Sequence, residues 1–134
     1  MNSGAPSGGA ARASAARRPF DAAVVPLAVV GCDFRVASTR WRNAVMLEQA
    51  DRQALAEALV TSCGADGIVC LETCNRIEWI VAAETTGWAA ELLRAQMLDR
   101  WRSAGHPMPL PDPFVYSGED AVRHLARVAV GLES

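Results

Sequence analysis

The chain has 134 residues, about one ordinary domain, and 51% of them are apolar against 21% charged, so it can bury a core and is not disordered throughout. Its longest apolar run, Ala22 to Cys32, falls short of the roughly 20 residues that a bilayer-spanning helix needs, and no membrane role is expected. All 13 basic residues are Arg, and a net charge of −2 argues against a dedicated nucleic-acid surface.

Residues 1–20 hold Arg12, Arg17 and Arg18 and no acid, a local charge of +3 in an Ala-, Gly- and Ser-rich stretch. A disordered tail is expected over 1–22, with one domain over 23–134. Val25 to Cys32 reads as a buried first strand after a Pro start. Arg35 to Arg42 is an irregular basic stretch. Gln49 to Ser62 is a helix with Ala54, Leu55, Ala58 and Leu59 on one stripe, stopped by Gly64. Gly67 to Glu72 and Ile77 to Ala83 are strands joined by Thr73-Cys74-Asn75-Arg76 as a hairpin.

Gly87 to Ser103 is a second long helix, with Trp88, Leu92, Ala95 and Leu98 on its apolar face. A Pro-rich loop follows. Phe114 to Tyr116 is a short strand. Ser117 is placed to cap a last helix, with Asp120 as a capping-box-like partner, and Gly131 ends it near Val130. The order β-α-β-β-α-β plus a terminal helix predicts an α+β, ferredoxin-like sandwich.

The four cysteines, Cys32, Cys63, Cys70 and Cys74, are too few and too irregularly spaced for a disulfide framework. Reduced thiols in the cytoplasm are expected. A competing reading takes Arg17-Arg18, the apolar stretch and Val29-Val30-Gly31-Cys32 as an exported lipoprotein signal. Asp21 and Pro26 interrupt that stretch and count against it. Cys70 and Cys74 form a C-x3-C pair, which has neither the spacing of a zinc pair nor that of a redox pair, so no metal is expected.

Cys74 stands out. A thiol in a tight turn is held rigidly and can face solvent, and Arg76 is near enough to favour its thiolate, as an acyl acceptor requires. The plainer alternative is a small buried hydrophobe. Arg76 could likewise do no more than pair with Glu78 or Glu72. Alternation puts Glu72 on the Cys74 side, where its charge would oppose a thiolate unless an Arg neutralises it. His124 shares a helix stripe with Ala121, Leu125 and Val128. It is either a satisfied core histidine or, if the helix covers the hairpin, an acid, base or orienting group. Glu119, Arg123 and Arg127 form a solvated ladder beside it.

Val69-Cys70-Leu71-Glu72-Thr73-Cys74-Asn75-Arg76-Ile77-Glu78 resembles the cysteine motif of the glutamyl-tRNA reductase family. The segment from Ala121 to Ser134, Ala-Val-Arg-His-Leu-Ala-Arg-Val-Ala-Val-Gly-Leu-Glu-Ser, resembles that family's second signature. Gly31-Cys32-Asp33-Phe34-Arg35 is similar to its opening strand and turn, and Arg42 to its downstream Arg. Glu72 stands where the family usually has Ser, Phe34 where it has a His or another polar residue, and Ser38 where it has Pro.

The resemblance implies a first step of tetrapyrrole (porphyrin) synthesis: reduction of glutamyl-tRNA(Glu) by NADPH to glutamate-1-semialdehyde, on the way to 5-aminolevulinate. It makes Cys74 the nucleophile that holds a glutamyl thioester and His124 a histidine important for activity. Thr73, Asn75, Arg76 and Ser134 match positions that bind the glutamyl group. No G-x-G-x-x-G is present. The expectation is a catalytic N-terminal domain without the NADPH-binding and dimerisation domains, competent for acyl transfer alone, with the homodimer belonging to the full-length family. The alternative is a degenerate, non-catalytic module that binds tRNA or a partner.

Overall fold

The structure is a computed structural model that describes residues 25–105 and 109–131; the expected tail over 1–22 lies outside them. Strand β1 (Leu27–Asp33) is buried at six of its seven positions. A strand that is apolar on both faces must be covered on both and flanked on both edges, and β1 is. It pairs antiparallel with β3 (Arg76–Ala83) on one side and with β4 (Phe114–Ser117) on the other. Strand β2 (Ala65–Glu72) continues the sheet through its hairpin with β3, so the order is β2-β3-β1-β4 with every neighbour antiparallel. The chain is therefore a mixed α and β domain built on a four-stranded antiparallel sheet.

The lipoprotein alternative conflicts with this placement, because cleavage ahead of Cys32 would remove Leu27 to Gly31, most of the central strand.

Alternation sorts the sheet into two faces. Ala28, Val30 and Cys32 of β1 and Ile77, Trp79, Val81 and Ala83 of β3 join the main core. Helices α2 (Gln49–Cys63) and α3 (Thr86–Ser103) cover that face through Leu55, Leu59 and Cys63 and through Ala89, Leu93, Met97 and Trp101. Gly64, at φ +64°, stops α2 as expected. The opposite face presents Gly31, Asp33, Arg76 and Glu78, and α4 (Glu119–Ala129) packs there against β4 and β1.

Three local expectations are corrected. The stretch after β1 is not irregular: it forms a short helix, α1 (Thr39–Ala44), and Arg42 within it is buried. On α3 the fully buried stripe runs Leu93-Met97-Trp101; of the expected face, Leu92 and Leu98 are partly buried against the core, while Ala95 is exposed and Trp88 is 72% exposed. Apolar residues on more than one side of this helix leave its inward stripe undecided by periodicity. The choice comes from Trp101, which packs edge-on against Trp41 (5.8 Å between centroids, 84°) and donates its indole N–H to the Trp41 carbonyl at 2.6 Å. Ser117 does not cap α4. It pairs with Ala28 in the sheet, and Gly118 at φ +61° is the N-cap, its N–H donating to the Leu27 carbonyl at 2.8 Å. The backbone must leave an edge strand and start a helix within one residue, which only a left-handed residue allows here.

Candidate functional site

The hairpin turn is fastened at each of its four residues. The Thr73 N–H donates to the Arg76 carbonyl (2.9 Å), and the Thr73 hydroxyl oxygen accepts from the N–H groups of Asn75 and Arg76, each at 3.2 Å. The Asn75 carbonyl accepts the Phe34 N–H at 2.9 Å, joining the turn to the end of β1. The Cys74 carbonyl accepts from Arg42 Nη2 at 2.9 Å. Arg42 also donates to the Ala37 carbonyl (2.7 Å) and the Thr39 hydroxyl (3.0 Å), so one buried guanidinium ties the 37–39 loop to the turn. Within this frame the Cys74 side chain is exposed.

Behind the turn lies a buried polar chain. Arg76, 3% exposed, pairs through Nη1 with Glu78 Oε2, and its Nη2 lies 4.0 Å from Asp33 Oδ2. Glu78, fully buried, meets His124 of α4: Nε2 is 3.0 Å from Oε1 and 3.1 Å from Oε2. The His124 ring stacks on Tyr116 (4.5 Å, 21°) and leans on Phe114 (5.2 Å, 51°). Asp33 is held by the Arg35 guanidinium (2.7 Å and 3.2 Å) and by the N–H groups of Arg35 and Val36. Burial pulls the Asp33 carboxyl upward, but the Arg35 hydrogen bonds and charge, with the Val36 N–H, outweigh it and the net shift is downward.

The other thiols differ from Cys74. Cys32 and Cys63 are buried and Cys70 is half-buried. Burial pushes Cys32 from an ordinary 9.0 to about 12, against the pull of Arg42 and with the help of Asp33 and Glu78. Burial, then Glu72, push Cys70 to about 11 against the pull of Arg52. The expectation that Glu72 opposes the Cys74 thiolate as an unpaired charge is corrected: Glu72 forms an ion pair with Arg52 of α2.

Alkylation at neutral pH should therefore label Cys74 first, and Glu72→Ser should leave its rate within about twofold. Peptide mapping checks this, and prior labelling of Cys63 or Cys70 would refute it. The raised Cys32 thiol holds its proton more tightly in the fold than in the unfolded chain. Its contribution to stability is present below about 9 and is lost as pH rises toward about 12.

Of the residues singled out from sequence, Thr73, Cys74, Asn75 and Arg76 share the turn, and His124 reaches it indirectly, through Glu78 and Arg76. Ser134 lies outside the described residues. The basic cluster of Arg35, Arg40 and Arg42 is dispersed: Arg35 serves Asp33, Arg40 is exposed and Arg42 is buried. Sequence reasoning gave no weight to Asp33 and Tyr116, and it named Glu78 only as a pairing partner. The available signal was alternation, which places Arg76 and Glu78 on one face of β3. Among the described residues no group of three His, Cys, Asp or Glu is placed to hold a metal ion, and no helix is long and apolar enough to cross a membrane.

An antiparallel α and β domain that presents an exposed cysteine in a pinned hairpin above a buried Arg-Glu-His chain defines a class, and the comparisons supply its family. A family model described as the glutamyl-tRNAGlu reductase N-terminal domain matches residues 30–134. Glutamyl-tRNA reductase of Paenibacillus macerans is 34% identical over 109 residues, 81% of this chain and 24% of that protein. The Ignicoccus hospitalis enzyme of the same name is 49% identical over 67 residues, 50% of this chain and 14% of that protein. The solved glutamyl-tRNA reductase from Methanopyrus kandleri superposes with a TM-score of 0.55 at 31% identity, covering 83% of this chain and 24% of that one. The chain belongs to the glutamyl-tRNA reductase N-terminal domain family. It spans about a quarter of the length of the Paenibacillus and Methanopyrus proteins.

Proposed function

We propose that this domain carries out the acyl-transfer half of glutamyl-tRNA reduction in the cytoplasm, on a ferredoxin-like sandwich whose 73–76 turn is the reaction site. The observation that carries the reading is Cys74: it alone of the four cysteines is exposed, in a turn whose backbone is fixed by Arg42, Phe34 and Thr73. A nucleophile held this way loses little entropy on reaching an ester carbon. The Cys74 sulfur attacks the carbonyl carbon of the glutamyl ester. The bond from that carbon to the ribose oxygen breaks, the oxygen takes up a proton, tRNA leaves, and the glutamyl group stays as a thioester. His124, linked to the turn through Glu78 and Arg76, is the group that steers that proton in this reading.

Arg76, with Thr73 and Asn75, binds the glutamyl carboxylate, and Ser134 completes that set by resemblance. A guanidinium has five N–H donors. One of those of Arg76 serves Glu78, so a substrate carboxylate shares this side chain with Glu78 rather than finding it alone. NADPH does not fit the described residues: every strand pairing is antiparallel and no Gly-rich strand-to-helix turn faces a helix N-terminus. In this reading hydride transfer, NADPH binding and the homodimer belong to the remainder of a full-length reductase.

Incubation with glutamyl-tRNA labelled in the amino acid, acid quench and peptide mapping tests this. The expected result is a hydroxylamine-labile adduct on Cys74 that is absent in Cys74→Ala. Arg76→Lys should lower its yield roughly 10- to 100-fold, because Lys cannot reproduce a two-pronged contact and a charged hydrogen bond contributes about 1.5–3 kcal/mol. If Arg76 only pairs with Glu78, the yield should stay within about twofold. Tight binding of glutamyl-tRNA with no adduct would instead support the non-catalytic module.

A further inference from the structure

Glu78 occupies the centre of the buried chain, and the geometry points to a specific task for it. We infer that Glu78 is a positioning residue that fixes His124 as the Nε2–H tautomer and so leaves Nδ1 as the ring nitrogen able to exchange a proton.

A carboxylate that already accepts a hydrogen bond from a guanidinium presents acceptor oxygens to whatever lies on its other side. Glu78 takes Arg76 Nη1 on Oε2 and places both oxygens near His124 Nε2, at 3.0 Å and 3.1 Å. The hydrogen between them must sit on Nε2. Nδ1 makes no hydrogen bond among the described residues. The ring cannot easily turn to exchange its nitrogens. Tyr116 stacks on it at 4.5 Å, Phe114 lies at 5.2 Å, and turning would also give up the Glu78 contact.

Gly31 sets the same arrangement from the neighbouring strand. It faces Glu78 across the β1–β3 ladder, and a Cβ there would stand 2.9 Å from Glu78 Cγ. Residues from β1, β3, β4 and α4 thus converge to hold one imidazole in one orientation. His124 also lines a surface cleft with Asp120, Arg123 and Arg127, which gives the ring access to groups from outside the fold. What Nδ1 does there rests on the acyl-transfer reading, whereas the tautomer does not.

The test is nitrogen NMR on histidine-labelled full chain. With only two histidines, His106 and His124, assignment needs one His106→Gln control. The parent should show the Nε2–H pattern for His124 once the ring is neutral. Glu78→Gln has a single carbonyl oxygen, which the Arg76 cation claims, so its NH2 turns toward Nε2 and the pattern should switch to Nδ1–H. Cys74 thioester yield should fall at least about tenfold in the same variant. An Nδ1–H pattern in the parent, or no switch in a folded Glu78→Gln, overturns the inference. If Glu78→Gln does not fold, the parent spectrum decides alone. The Nε2–H pattern with no thioester in the parent would sink the acyl-transfer reading and leave the role of Glu78 standing.

Discussion

Gly31→Ala should cost the domain about 3 kcal/mol or more and lower its unfolding midpoint by roughly 10 °C. A Cβ at this position would stand 2.4 Å from the Ile77 carbonyl oxygen and 2.9 Å from Glu78 Cα and Cγ. Two of those three atoms are backbone in the adjacent strand. The β1–β3 ladder fixes their spacing over seven consecutive pairs, so no flexible side chain can swing away to make room. The sheet must part at its centre, between the two strands whose faces build the core. Against a total stability of roughly 5–15 kcal/mol, that is a large fraction. Gly67→Ala is the matched control: nothing lies within 4 Å of its added methyl, and its midpoint should barely move. Thermal or urea unfolding of the two variants beside the parent gives the answer. Equal midpoints for all three would mean that β1 and β3 can separate at little cost.

Arg42→Ala should cost about 3 kcal/mol and cut thioester formation on Cys74 at least tenfold. Its guanidinium is buried and divides its donors among the Ala37 carbonyl, the Thr39 hydroxyl and the Cys74 carbonyl. Each hydrogen bond from a charged donor contributes about 1.5–3 kcal/mol, and a buried acceptor left without one pays its desolvation. The Cys74 carbonyl can find water, because the turn is exposed, but it then loses the anchor that orients the thiol. Arg42→Lys should behave much like Arg42→Ala, since a single ammonium cannot reach three acceptors arranged around a planar fork. Urea unfolding measures the first effect and adduct yield the second. Parent-like adduct yield in Arg42→Lys would show that the turn holds its shape through Thr73 and the Phe34–Asn75 bond alone.

Much of the secondary structure was legible because its causes are local. The apolar run of β1, the hairpin between two short apolar segments and the Gly64 stop of α2 each depend on neighbours within a few residues. The stripe of α3 was not legible, because Trp88-Leu92 and Leu93-Met97-Trp101 are both plausible inner faces of one helix until a partner for Trp101 exists. Helix α1 was missed because its six residues bury an Arg rather than an apolar stripe, and the acceptors that make this tolerable come partly from residue 74.

The same division runs through the candidate site. By itself the sequence determined that a cysteine and an arginine share a tight turn, that Glu78 follows two residues after Arg76, and that His124 belongs to a helical stripe. Those statements need only chain connectivity and the periods of strand and helix. That Glu78 bridges Arg76 and His124 was decided by tertiary structure alone. The two ends of that bridge lie on β3 and α4, and they meet only because Gly31 stands opposite Glu78 and β4 sets Tyr116 under the imidazole. A contact of this kind depends on strand register and on which face a helix covers, quantities that exist only once the whole sheet has formed.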